Sequence, residues 1–413
     1  MSRLQLEPQI SEREGRIVAA MRLRRAFLWL LDSNNVPRRL SMGLVRASFA
    51  QVCAILCLGL ALSACQAPVA VPTVASNLAP NATSAVPTGT SVASNPFAGV
   101  PGLVDPNNLG WPREVAGLNG RVVIASKPQR VITLSVGHDE VSYALLPACR
   151  IVGVKSSTKN PDYSNVAALA KGTSLVTKDP ELVVAQRPDL VVATPYISVD
   201  TVNALERASI PVMQTSVSGG DMDSRIYDVL LFGYMFGEEQ RAIAVAGELR
   251  ARLDALRAKV AANPAGGRVN VLSLSRYADK MYTAGRETIE GNVIELAGGS
   301  NSAAAAGITG FPAVSVESII ALNPQVIILT QSGEGGESFR ADLLANPALA
   351  GVSAITNMAV HVVGGKYFTT LSFWNLRGAE ALSLLLRSPG GPVSDQPFTF
   401  EGQLPSSGAN ACP

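Results

Sequence analysis

The sequence predicts an α/β fold of two lobes, each a parallel β-sheet covered by helices, joined by a single long helix. From about residue 121, short β-branched runs alternate with longer stretches of helical spacing, the rhythm of a parallel sheet buried on both faces. The stretch from Glu238 to Ala262 breaks that rhythm with unbroken helical periodicity. A pattern that begins at Glu181 recurs at Glu317, as expected if the chain builds one unit twice.

The first segment, 1–64, reads as a leader. Arg38, Arg39 and Arg46 precede an apolar run, Val52 to Leu62, that is too short for the roughly 20 residues of a bilayer span. It has the order of a signal peptide: basic region, apolar region, small residue. Leu62-Ser63-Ala64-Cys65 resembles a lipobox, which implies cleavage before Cys65 and acylation of that cysteine. A start at Met42 would give a leader of ordinary length, with 1–41 then a misplaced start or an unusual extension; Met1 and Met21 are the other starts.

The second segment, 65–108, reads as a disordered tether. No charged residue falls between Gln66 and Val104, and Pro, Ala, Val, Thr, Ser and Asn fill the stretch. Such a composition buries no core and stays extended. Lipid at one end and a folded body at the other place the body outside the cytoplasmic membrane.

The N-terminal lobe is expected over 109–237. Its strands are read at Arg130 to Leu134, Ile151 to Val154, Leu190 to Ala193 and Val212 to Thr215. The connecting helix is expected over 238–263, with Ile243, Ala246, Leu249, Leu253, Leu256 and Val260 three and four apart. At 1.5 Å per residue it would extend roughly 37 Å. Asn263-Pro264-Ala265-Gly266-Gly267 then stops it. The C-terminal lobe, 264–390, has strands at Val269 to Leu274, Val326 to Thr330 and Val360 to Val363, and 391–413 is a tail.

The echo runs Glu181 through Pro188-Asp189-Leu190-Val191-Val192 and again Glu317 through Pro324-Gln325-Val326-Ile327-Ile328. In each copy a helix starts near a Glu, stops before Arg187-Pro188 or Asn323-Pro324, and feeds a buried strand. Each lobe thus presents one carboxylate near a helix N-terminus, where the helix dipole favours it.

Charge and motifs exclude several classes. Nine of the 34 basic residues but only four of the 32 acidic ones lie in 1–64, so 65–413 carries 25 basic against 28 acidic residues. Without a basic patch there is nothing to neutralise phosphates, and nucleic acid is excluded as a partner. Leu134-Ser135-Val136-Gly137-His138 is no nucleophile elbow, and Ser332-Gly333-Glu334-Gly335-Gly336 lacks the Lys of a phosphate loop. Of five cysteines, Cys53 and Cys57 leave with the leader and Cys65 is acylated. Cys149 and Cys412 remain, either as one disulfide or as two separate thiols; with no CxxC or Cys/His cluster, zinc is not indicated.

Several stretches in order carry a family resemblance: Trp111-Pro112-Arg113-Glu114-Val115, Gly120 to Ile124, Lys127-Pro128-Gln129-Arg130-Val131, Ile151-Val152-Gly153-Val154, the Glu181 segment, Gly285-Arg286-Glu287-Thr288, Leu296 to Asn301 and the Glu317 segment. The body resembles the extracytoplasmic substrate-binding proteins of ABC importers for iron chelates, haem and cobalamin. That resemblance implies two Rossmann-like lobes joined by a single long helix, a monomer, no enzymatic activity, no resident cofactor, and a permease dimer with a cytoplasmic ATPase as partners. It implies that Glu181 and Glu317 dock on the permease.

Ligands of such folds bind at loops leaving the carboxyl ends of strands. That nominates Ser135, Gly137 and His138, then Ser156 to Lys159 with Tyr163, and Thr194 to Tyr196. The second lobe offers Ser275, Arg276 and Tyr277, then Gln331 and Ser332, and Tyr367 with Phe373 and Trp374. Arg276 suits a carboxylate or anionic chelate, and Tyr163, Tyr196, Tyr277 and Trp374 suit a flat ligand. His138 and His361 are too few to hold a bare transition metal. The segment Gly172 to Pro180 lacks the Tyr or His that related haem binders place before the first docking Glu. The expected ligand is therefore a ferric siderophore or similar iron chelate, with haem or cobalamin as the alternative and a lipid-anchored sensor or enzyme on this fold as the second alternative.

Overall fold

The computed structural model describes residues 95–215, 221–262, 267–331, 333–387 and 398, with only the backbone at 333 and 334. The expected leader, Cys65, Ser332, Cys412 and nearly all of the expected tail lie outside them. Twelve strands are described: β1 (Arg113–Gly117), β2 (Gly120–Ile124), β3 (Val131–Thr133), β4 (Ile151–Gly153), β5 (Leu190–Ala193), β6 (Val212–Gln214), β7 (Asn270–Tyr277), β8 (Lys280–Thr283), β9 (Ser300–Asn301), β10 (Ala313–Val314), β11 (Val326–Leu329) and β12 (Val360–Val362). The helices are α1 (Val136–Leu145), α2 (Pro180–Ala185), α3 (Val199–Arg207), α4 (Met222–Phe236), α5 (Glu239–Ala261), α6 (Ile289–Leu296), α7 (Ser302–Ala305), α8 (Val316–Leu322), α9 (Gly333–Ala345), α10 (Ser353–Thr356), α11 (Gly365–Phe368) and α12 (Asn375–Arg387).

All seven strands read from the sequence form. β4, β3, β5 and β6 make one parallel sheet in that order. The second sheet runs β10, β8, β7, β11, β12, with β7, β11 and β12 parallel. Its edge was not foreseen: β8 turns back antiparallel on β7, and β10 pairs antiparallel with β8. Central strands are buried on both faces, as their uninterrupted Val, Ile and Leu require; β5 and β11 are buried at every position.

The echo is structural. Asp179 caps α2 and Ser315 caps α8, which sets Glu181 and Glu317 in the first turns. Arg187 and Asn323, each just before a proline, both adopt the left-handed conformation (φ 49° and 37°). Asp189 then accepts from the N–H groups of Gln129 and Arg130, at the start of β3, while Gln325 accepts from the N–H of Asn270, at the start of β7. Both copies thus clip the start of their strand to that of its parallel neighbour.

The long helix is α5, with 23 residues, and it buries Ala242, Val245, Ala246, Leu249, Leu253 and Leu256. Its partner α4 packs along its length and shows no amphipathic period, because eleven of its fifteen residues are buried. Gly233 of α4 permits the close approach, since a Cβ there would meet that of Ala242 at 2.1 Å. Gly237, left-handed at φ 68°, turns the chain between the two helices. One core cluster runs from Val131, Leu190 and Val192 of the first sheet through α4 and α5 to Val271, Val326 and Ile328 of the second and Leu382 of α12. The described residues accordingly form one compact unit rather than two separable ones.

The tether expected over 65–108 ends earlier than predicted. Phe97 and Val100 are buried, Phe97 lies 6.1 Å from the Tyr234 ring, and Leu103 bridges to Val115. Two apolar side chains suffice to dock a segment whose composition otherwise reads as extended. Arg113 holds the same region: its guanidinium lies 4.1 Å from the Trp111 ring and 4.8 Å from that of Tyr234, and it pairs with Glu239 at the start of α5.

Candidate functional site

The carboxyl ends of the two sheets meet. Ser135, after β3, caps α1 by accepting from the His138 N–H. There the helix touches the segment that follows β12: a Cβ on Gly137 would stand 2.5 Å from the Leu371 carbonyl oxygen. Asn165 donates to the carbonyl of Lys366 at 2.9 Å. Loops from both sheets therefore border one region, as the strand-end rule anticipates.

Three predicted aromatics are exposed on these loops. Tyr196 follows β5, Tyr163 lies in the turn from Asn160 to Ser164, and Tyr277 ends β7; they are 73%, 60% and 79% exposed. Their rings are free to make contacts from the loops. Tyr367 is half-buried, with the Arg377 guanidinium 5.0 Å from its ring. Arg276 is half-buried and already engaged: it pairs with Asp342 at 2.5 Å, lies 4.8 Å from the Phe339 ring, and exchanges hydrogen bonds with Gln331. Its fork is oriented, with one face committed.

Other nominated residues serve packing instead. His138 is buried, with Nε2 at 3.2 Å from the Thr215 hydroxyl and its ring edge-on to Phe232. Burial, then Arg225, lowers its pKa to about 3, so it is neutral. Gly137 is consumed by the contact with Leu371. Trp374 is buried against Phe373 and Phe398, and Phe373 is buried too. His138, Phe373 and Trp374, expected on open cleft loops, are thus buried, and Gly137 is closely packed: loops that leave strand ends can turn inward, and these do. Thr194 and Thr158 are likewise buried. His361 is half-buried, its pKa lowered by burial and Arg340.

Sequence reasoning missed a pair of buried carboxylates at the head of α1. Asp139 accepts from the hydroxyls of Thr133 and Thr158, and burial raises its pKa to about 8. Glu140 accepts from Asn165, Thr370 and Ser372, and burial raises it to about 7. The available signal was two adjacent acids in an otherwise apolar helix. Among the described residues, no group of three His, Cys, Asp or Glu could hold a metal ion.

Glu181 and Glu317 are exposed, and each helix also exposes an apolar residue, Leu182 and Ile320. A hydrogen bond from Ser315 holds the Glu317 carboxyl below its ordinary pKa. Cys149 is disulfide-bonded to a partner outside the described residues. A cavity of 540 Å³ beside Cys149, lined also by Arg130, Ile151, Lys171 and Gln186, opens at the amino end of the first sheet, away from the strand-end loops. No described helix is long and apolar enough to cross a membrane.

The cobalamin-binding protein of Halobacterium salinarum is 29% identical over 248 residues, 60% of this chain and 64% of that protein, so the chain spans less than two thirds of that relative's length. An uncharacterized ABC transporter substrate-binding lipoprotein of Bacillus subtilis is 26% identical over 216 residues, 51% of this chain and 67% of that protein. The solved periplasmic haem-binding protein of Pseudomonas aeruginosa is 25% identical, with TM-score 0.55, covering 66% of this chain and 96% of that one. The family model for periplasmic binding proteins matches residues 131–367, from the first strand of the first sheet to Tyr367. With two sheets whose strand-end loops border one region, and a match across more than half its length, the chain belongs to the periplasmic binding protein family.

Proposed function

We propose that this chain is the extracytoplasmic substrate-binding component of an ABC importer, capturing a ferric siderophore or similar iron chelate between its strand-end loops and delivering it to a permease. The observation that carries this reading is the exposure of Tyr163, Tyr196 and Tyr277 at the strand-end loops of both sheets; Arg276 precedes Tyr277 in β7, and no described cluster could ligate a bare metal. A metal would then arrive inside its own organic shell, held by stacking and by charge on that shell. Glu181 and Glu317 would steer and register docking on the permease. An acylated Cys65 would anchor the chain to the membrane, and Cys412 is the proposed partner of Cys149. Cobalamin is the second reading, favoured by the Halobacterium relative.

Calorimetric titration of the purified protein with a panel of ferric siderophores, haemin and cyanocobalamin tests this. Submicromolar binding of an iron chelate supports the first reading, and binding of cyanocobalamin alone supports the second. Failure of every ligand overturns both.

A further inference from the structure

Glu140 is buried, and all four of its hydrogen bonds are accepted ones. Oε1 accepts from the backbone N–H and the side-chain Nδ2 of Asn165, both at 2.8 Å; Oε2 accepts from the hydroxyls of Thr370 and Ser372, both at 2.6 Å. The first pair belongs to the loop that carries Tyr163, after β4. The second belongs to the segment that carries Tyr367, after β12 of the other sheet. Asn165 closes the arrangement by donating to the Lys366 carbonyl.

We propose that Glu140 is a positioning residue that pins the Tyr163 loop of one sheet to the Tyr367 segment of the other and so sets the spacing of the cleft walls. A carboxylate is the one side chain that accepts four donors without offering one in return. The environment is asymmetric, and it decides which oxygen can take a proton. The Asn165 groups can only donate, so Oε1 cannot carry a proton. The hydroxyls facing Oε2 can turn over and accept, so this edge tolerates either form. The neighbouring titratable group is Asp139, itself raised to about 8 by burial, with Glu140 adding to that rise. Protonation at Oε2 therefore costs the charge-assisted character of the bonds to Thr370 and Ser372 while leaving those to Asn165 intact.

The test separates a pin between sheets from a prop within one. Thr370→Val with Ser372→Ala removes the far partners and leaves the Glu140–Asn165 bonds untouched. Hydrogen exchange followed by mass spectrometry reads both segments. In the double variant, exchange over 364–375 is expected to accelerate at least tenfold, with an increase over 160–166 as well, while β5 and β11 are unchanged. Glu140→Ala should reproduce both effects. Glu140→Gln, whose amide can donate to the hydroxyls and accept from Asn165, should restore protection largely and remove its dependence on pH between 5 and 8. If 160–166 keeps its protection in the double variant, Glu140 acts within its own sheet only and the proposal falls. Global acceleration, including β5 and β11, overturns it equally. The role in setting cleft spacing rests on the proposed ligand site; the exchange experiment needs no ligand, so failure of one leaves the other standing.

Discussion

Gly137 lies so close to Leu371 that a single added methyl would stand 2.5 Å from the Leu371 carbonyl oxygen and 2.8 Å from its Cα. This is backbone against backbone across the two sheets, and neither side has a flexible end to withdraw. Alanine at this position would gain up to about 1 kcal/mol of helix propensity. Overpacking costs about 1–3 kcal/mol, and more where backbone must move. Gly137→Ala is expected to lower stability by roughly 1–3 kcal/mol in a denaturant melt and to weaken ligand binding, because the walls part. A variant as stable as the parent would contradict this contact.

The buried carboxyls predict a pH dependence. Burial raises Asp139 to about 8 and Glu140 and Glu290 to about 7, well above their unfolded values. Within that interval the folded chain keeps protons that the unfolded chain releases, so stability falls as pH rises. His138 works the other way, since its pKa is lowered to about 3, and its effect fades as pH rises through the ordinary value of 6.5. His361 is lowered as well, and the effects of both histidines fade as their unfolded forms lose the last protons, so between about pH 7.5 and 8 the carboxyls act alone. Stability should decline across that interval with a slope of up to about 1.4 kcal/mol per pH unit for each group still titrating. Asp139→Asn should flatten the slope; a parent curve that rises over the same interval would refute the assignment.

The docking reading predicts a separation of functions. Glu181→Ala with Glu317→Ala alters two exposed first-turn residues and should leave chelate affinity and thermal stability nearly unchanged while abolishing uptake in cells. Loss of chelate binding by this pair would remove the docking role.

The aromatic loops carry the opposite prediction. Tyr196→Ala and Tyr277→Ala remove side chains that are largely exposed in the free protein, so stability should stay within about 0.5 kcal/mol. Ligand affinity should fall by roughly tenfold for each, the worth of one aromatic contact of about 1.5 kcal/mol. Unchanged affinity in both variants would move the ligand elsewhere.

A shared core predicts limited closure. Small-angle scattering with and without saturating chelate should show little change in radius of gyration, and a large decrease would contradict a rigid body.

Much of this was legible from local pattern. The strands from β3 to β7, with β11 and β12, are apolar runs that need burial wherever they occur, and α5 carries its period on its own surface. The two Glu positions followed from repeated punctuation by Pro. The antiparallel edge formed by β8 and β10 was not legible, because four residues and two residues are too short to show a period. Nor was the burial of His138, Glu140 and Trp374. Whether a polar side chain turns inward depends on partners such as Thr370 and Ser372, which lie more than 200 positions from Glu140 and have no trace in its own segment.

The continuous apolar layer beneath both sheets has a consequence for how such a protein can change over generations. Parting the two sheets would wet that layer, so the frame tolerates little alteration there. The tips that bear Tyr163, Tyr196 and Tyr277 contribute almost nothing to it. Under the proposed function, recognition is uncoupled from folding: a new cargo would be fitted by exchanging a few residues at the tips, while the scaffold that presents them stays unchanged.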